Sequence, residues 1–170
     1  GLAALGLTPA DIDFVLLTHL HTDHSGGAVK LVDGKYVPRF PKAQVVVSER
    51  EWRTAMKPDE RTNAVYIPER FRALEEADVV EFLEGDRVQL CSGITAIHTG
   101  GHSDGHYGIE MESGGQQVWY YADIFPSSHH LRVPFIPATD VHPLDSMVAK
   151  RGLLPRLASG EIVLAYDHDT

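Results

Sequence analysis

The chain has 170 residues, 43% hydrophobic and 23% charged, with a formal net charge of −9, enough to bury a core and ordinary for a globular protein. No stretch approaches the roughly 18 consecutive apolar residues of a membrane span. The 15 Lys and Arg residues are scattered, which argues against a nucleic-acid partner. The single cysteine, Cys91, excludes an intrachain disulfide and a sulfur-rich metal site. No charged leader, apolar run and cleavage site stand at the start, so a cytoplasmic location is expected. With no repeat, low-complexity tract or linker, residues 1–170 read as one domain.

Thr8-Pro9-Ala10-Asp11 is a helix start, with Thr as cap, Pro in the first turn and an acid three residues after the cap. Residues 14–18 follow as a short buried strand. Residues 19–27 read as a polar loop, and residues 28–31 as the start of a helix. Further strands are predicted over residues 43–48, 79–83, 87–91 and 94–98. Residues 107–112 and 117–121 flank Ser113-Gly114-Gly115 as a hairpin, and residues 162–166 form a last buried strand. Helices are predicted over residues 49–56, 69–76 and 144–150, with Pro155 breaking or restarting the last. Strands with helices between them indicate an α/β layered domain.

The chemistry concentrates in His19-Leu20-His21-Thr22-Asp23-His24-Ser25-Gly26-Gly27. Three imidazoles and one carboxylate fall within six residues, directly after an apolar strand, and these are the ligand types that suit zinc and related divalent ions. His19 and His21 share one side of an extended segment, because side chains there alternate with period two. Asp23 and His24 follow a turn and face a second position. The small residues Ser25, Gly26 and Gly27 let backbone pass close by.

Four ligands are too few for two ions, so more are expected at later strand ends. His102 stands in the turn Thr99-Gly100-Gly101-His102, Asp123 after the strand ending near Tyr121, and His168 between Asp167 and Asp169. Of the other histidines, His106 reads as a strand-start residue or a partner to a ligand, His98 as lying in or beside the sheet, and His142 as structural. His129 and His130 lie in a Pro-bounded loop as surface residues, with substrate contact as the alternative. Asp167 and Asp169 orient His168 or face water. Tyr120, Tyr121, Phe125 and Phe135 read as core aromatics, with the lining of a pocket as the alternative.

In His19, His21, Asp23 and His24, followed by Gly101-His102, Asp123 and His168, the sequence resembles the metallo-β-lactamase superfamily over residues 8–169. The resemblance implies an αββα sandwich. It also implies that His19, His21 and His102 bind one metal, that Asp23, His24 and His168 bind a second, and that Asp123 bridges them. The cofactors implied are two divalent ions, zinc first, with manganese, iron or cobalt as alternatives. Asp at the bridging position resembles the lactonase and glyoxalase II branch. Such lactonases carry a catalytic Tyr shortly after that Asp, whereas here Ile124, Phe125 and Pro126 follow. Members of the superfamily carry strands ahead of the short first helix and a closing strand at the end. The sandwich is therefore expected to be incomplete, lacking its N-terminal strands, and unpaired edges favour association into a homo-oligomer.

The function implied is a metal-dependent hydrolase. A hydroxide shared by two ions, formed because their charge lowers the pKa of water, attacks the carbonyl of a small ester, lactone or thioester substrate. Asp23 is the candidate to carry a proton to the leaving group. The alternatives are a mononuclear iron enzyme that oxidises sulfur compounds, a nuclease, which the acidic balance disfavours, and a non-catalytic metal-binding remnant.

Overall fold

A computed structural model describes residues 1–169 of the chain. It divides into two compact units, Gly1–Leu83 and a second that begins at Glu84.

In the first unit, the capped turn forms as expected at Pro9–Asp11. The Asp11 carboxylate accepts from the Thr8 N–H at 2.8 Å and from its hydroxyl at 2.7 Å. Strand β1, Phe14–Leu16, pairs in parallel only with β4, Gln44–Ser48, which also pairs in parallel with β5, Val80–Leu83. The central strand places Val45, Val46 and Val47 in succession out of solvent, as a parallel strand covered on both faces must. Strand β1 is an edge, so it is shorter than the expected residues 14–18 and leaves Phe14 65% exposed.

After β1 the chain does not stay an open loop. It winds into α1, Thr22–Ser25, and a further helical turn, Gly26–Ala28. The helix expected from residues 28–31 is instead strand β2, Val29–Val32, paired antiparallel with β3, Lys35–Pro38. Asp33 and Gly34 join them with φ of 49° and 77°, the two left-handed residues of a tight hairpin turn. The Asp-Gly pair between two Val-containing runs was the overlooked signal.

Helix α2, Glu49–Met56, starts where expected, with the Ser48 hydroxyl accepting the Glu51 N–H at 3.4 Å. Helix α3, Pro68–Glu76, places proline in its first turn, where a missing N–H costs nothing. Trp52, Ala55, Phe71 and Leu74 from these helices pack with Leu17, Leu20, Val45 and Val47 as the core of this unit. Burying each large side chain contributes about 1.5–3 kcal/mol.

The second unit holds a five-stranded sheet, ordered β10-β9-β8-β7-β6. It comprises β6 (Arg87–Cys91), β7 (Ile94–His98), β8 (Tyr107–Ser113), β9 (Gln116–Tyr120) and β10 (Ile162–Ala165). Its strands are antiparallel except β10, which runs parallel to β9. Gly114 and Gly115 make the predicted hairpin turn with positive φ. Strand β10 is an edge with Val163 64% exposed, so the expectation of a buried last strand holds only in part.

Helix α4, Pro143–Leu157, runs straight past Pro155. Pro155 sits in the last turn, and Leu153, Leu154 and Leu157 on either side of it pack against Trp119, Tyr121, Ile124 and Phe125. That burial outweighs one lost backbone hydrogen bond. Tyr121 and Phe125 are core aromatics as expected, whereas Phe135 is 45% exposed, with Arg132 over its ring. Among the described residues no helix is long and apolar enough to cross a membrane.

Candidate metal centre

In the first unit the cluster follows directly from β1. His19 and His21 are buried, with ring centroids 4.6 Å apart and ligand nitrogens within 4.8 Å. The Thr18 hydroxyl lies 3.1 Å from His19 Nδ1. The turn of α1 brings His24 back onto His19, at 4.1 Å between centroids. Asp23 is the most exposed of the four, with 57% of its side chain accessible, and its Oδ2 lies 3.5 Å from His24 Nε2.

This loop is held from below by Glu51 of α2, which is fully buried. Glu51 Oε1 accepts the Leu20 N–H at 3.0 Å, between the two histidines, and the Tyr66 hydroxyl at 2.8 Å. The Tyr66 ring in turn lies 5.0 Å from that of His21. The Ser25 hydroxyl donates to the carbonyls of Leu20 and His21, closing the turn. Neither Glu51 nor Tyr66 stands out in the sequence, because each contact spans many residues.

In the second unit, His102 leaves β7 through Gly100 and Gly101, with φ of 57° and 80°. A side chain at Gly101 would collide with the backbone of Ser146. Asp123 leaves β9 through Ala122, whose φ of 40° is costly for a residue with a Cβ. The result is that one carboxylate faces two imidazoles. His102 Nε2 lies 3.0 Å from Asp123 Oδ2, and His168 Nε2 lies 3.5 Å from Asp123 Oδ1. Asp167 also brings an oxygen within 4.8 Å of the Asp123 and His168 ligand atoms.

The donor set fits divalent cations. Two ligands of one tetrahedral zinc, each at about 2.0–2.1 Å, are about 3.3 Å apart. The two N···O separations bracket that value, with one oxygen of Asp123 toward each imidazole. The other ring nitrogen of His102 is also held: Nδ1 lies 2.8 Å from Asp140 Oδ1. Burial alone would lower the His102 pKa, but the hydrogen bonds and charges of Asp123 and Asp140 outweigh it and raise it to about 9.

The remaining expectations resolve within the second unit. His106 directly precedes β8, with Nδ1 2.6 Å from the Thr99 hydroxyl and its ring 5.8 Å from that of His102. His98 ends β7 with Nε2 3.0 Å from the Asp104 carbonyl. His142 is structural: it stands at the N-cap position of α4 and its ring turns away to Asp104, with Nε2 2.6 Å from Oδ1. His129 is exposed, whereas His130 Nδ1 meets the Ser127 hydroxyl at 2.9 Å. Asp167 accepts the Tyr120 hydroxyl at 3.1 Å and Asp169 the Ser128 N–H at 3.0 Å, so both anchor the segment around His168. Asp140, 38 residues from His102, was not anticipated, and no motif marks it.

Imidazoles and carboxylates gathered where strands end define a metal-binding α/β protein. The chain belongs to the metallo-β-lactamase superfamily, whose sequence profile matches residues 2–159, and it has that superfamily's fold.

It is 27% identical over 178 residues to the N-acyl homoserine lactonase AttM of Azorhizobium caulinodans, covering 98% of this chain and 62% of that protein. To AttM of Agrobacterium fabrum it is 33% identical over 108 residues, 61% of this chain and 37% of that one. A probable metal-dependent hydrolase from Staphylococcus aureus superposes with a TM-score of 0.90 at 31% identity, covering 99% of this chain and 58% of that chain. The dizinc quorum-quenching lactonase AidC shares the fold, with a TM-score of 0.82 at 21% identity over 99% of this chain and 61% of its own. The chain thus spans less than two thirds of each of these relatives.

Proposed function

We propose that this chain carries the metal ligands of a binuclear zinc hydrolase that opens a small lactone or a related ester or thioester. By the superfamily's pattern His19, His21 and His102 would hold one cation, Asp23, His24 and His168 the other, and Asp123 both. The carrying observation is Asp123 itself, a largely buried carboxylate with one oxygen toward His102 and the other toward His168. The lactonase relatives and the dizinc neighbour support the metal and the substrate class.

Divalent cations held by these residues would supply Lewis acidity toward a water and toward the substrate carbonyl. The protein's own part is to present ligands without rearrangement. Glu51 and Ser25 hold the loop of His19 and His21, and the strained Ala122 aims Asp123. Asp23 is exposed to solvent and stands beside His24, a position that suits proton delivery to the leaving alkoxide. The Asp23→Asn variant is expected to lose turnover at least about tenfold per metal-loaded chain, beyond any weakening of the cation that Asp23 helps to hold. Full turnover with intact metal would remove Asp23 from that role.

The test of the whole reading is elemental analysis of the purified chain, paired with hydrolysis of a lactone, ester and thioester panel followed by proton release. Two zinc ions per chain and turnover of a lactone are expected. One iron per chain with oxygen uptake would favour sulfur oxidation, and two bound ions with no turnover would leave a metal-binding remnant.

A further inference from the structure

We propose that Asp140 is a positioning residue that locks the His102 ring with Nδ1 protonated and Nε2 turned to the metal. The proposal rests on reading His102 as a ligand. Asp140 is 2% exposed, and a buried carboxylate persists only where partners compensate its desolvation. Its Oδ1 lies 2.8 Å from His102 Nδ1, and its Oδ2 accepts the hydroxyl of the fully buried Ser146 at 2.5 Å. With Asp140 Oδ1 as its acceptor Nδ1 carries the hydrogen, and Nε2 is the nitrogen turned toward Asp123, on the side of the proposed metal.

The backbone around Asp140 is tied to the same loop. The Val141 N–H donates to the His102 carbonyl at 3.0 Å, and the His142 N–H donates to the Gly101 carbonyl at 2.8 Å. The Asp140 N–H is itself fixed on the Pro137 carbonyl at 3.1 Å. Ser146 lies in the opening turns of α4, against Gly101, where there is no room for a side chain. Val141 and His142 therefore hold the backbone of the loop, while Asp140, braced by Ser146 of α4, holds the ring of His102. A hydrogen-bonded carboxylate behind a ligating histidine fixes its tautomer and raises its basicity, with effects of about 10–100-fold on metal affinity.

The test compares the full chain with Asp140→Ala, Asp140→Asn and Ser146→Ala, using zinc competition against a chromophoric chelator and long-range proton–nitrogen spectra of the histidines. In Asp140→Ala one of the two zinc ions is expected to bind about 10–100-fold more weakly, with the other little changed. In the zinc-loaded wild type one slowly exchanging Nδ1 proton belongs to His102, and Asp140→Ala loses it. Asp140→Asn keeps one acceptor and recovers part of the affinity, and Ser146→Ala shows a smaller loss.

Unchanged zinc affinity in Asp140→Ala, or a lowered melting point of the metal-free protein with zinc binding unmoved, overturns the proposal. If Asp140→Ala does not fold, unchanged affinity in both Asp140→Asn and Ser146→Ala overturns it equally. Failure of the wild type to take up zinc is a different result, which overturns the metal-site reading itself.

Discussion

Lys150 is fully buried on α4 with its Nζ donating to the carbonyls of His130 at 3.0 Å and Phe135 at 2.5 Å. It thereby ties residues 130–135, the segment after Asp123, to the helix. Burial lowers its pKa from 10.5 to about 8, against the opposing charge of Asp140. The folded state therefore gives up this proton first. Between about pH 8 and 10.5 the unfolded chain binds more protons, so this residue makes stability rise with pH across that window. The burial penalty is fullest below about pH 8. Urea midpoints of wild type and Lys150→Met, measured near pH 7 and near pH 9.5, should show the wild type gaining on the variant at the higher pH. Parallel pH dependence would refute it.

The elements around the ligands act as clamps. In α2 a charged residue is the innermost one, because Glu51 collects the Leu20 N–H and the Tyr66 hydroxyl. Glu51→Ala leaves two buried donors without their acceptor and should cost about 2–4 kcal/mol in denaturant titration, whereas Tyr66→Phe should cost about 1 kcal/mol. In the second unit Gly101→Ala meets both a left-handed φ of 80° and the Ser146 backbone. A loss of about 2 kcal/mol or more is expected from the same measurement. Helix α4 explains why its periodicity misleads. Ser146 and Lys150 lie inside while Leu144 and Val148 are 73% and 63% exposed, because the polar pair has partners waiting in Asp140 and the 130–135 carbonyls.

At the scale of the molecule, metal binding and stability are linked, since a cation held by the folded chain and not by the unfolded one adds to folding free energy. Zinc at about a thousand times its dissociation constant stabilises by about 4 kcal/mol per site. A chelator should therefore lower the melting temperature of zinc-loaded protein, and Asp123→Ala should abolish most of that shift. An unchanged melting temperature on chelation would show that folding does not depend on the ligands being occupied.

Much was determined by the sequence alone, because local spacing carries it. The HxHxDH order of His19 to His24, the Gly-Gly-His turn and the Ser48 cap of α2 are all contacts between near neighbours. So are the Pro9–Asp11 turn, the Gly114-Gly115 hairpin and the run of valines in β4, whose burial on both faces follows from a continuous apolar run. Asp33-Gly34 was equally local and should have turned residues 28–31 from helix to strand. Only the tertiary structure decided that Glu51, Tyr66, Asp140, Ser146 and Lys150 face inward. Nothing in a polar residue's own neighbourhood says whether a partner 6 to 38 residues away will repay its desolvation. The strained Ala122 belongs with these, since its backbone is held by packing around Asp123 and by no preference of alanine for that conformation.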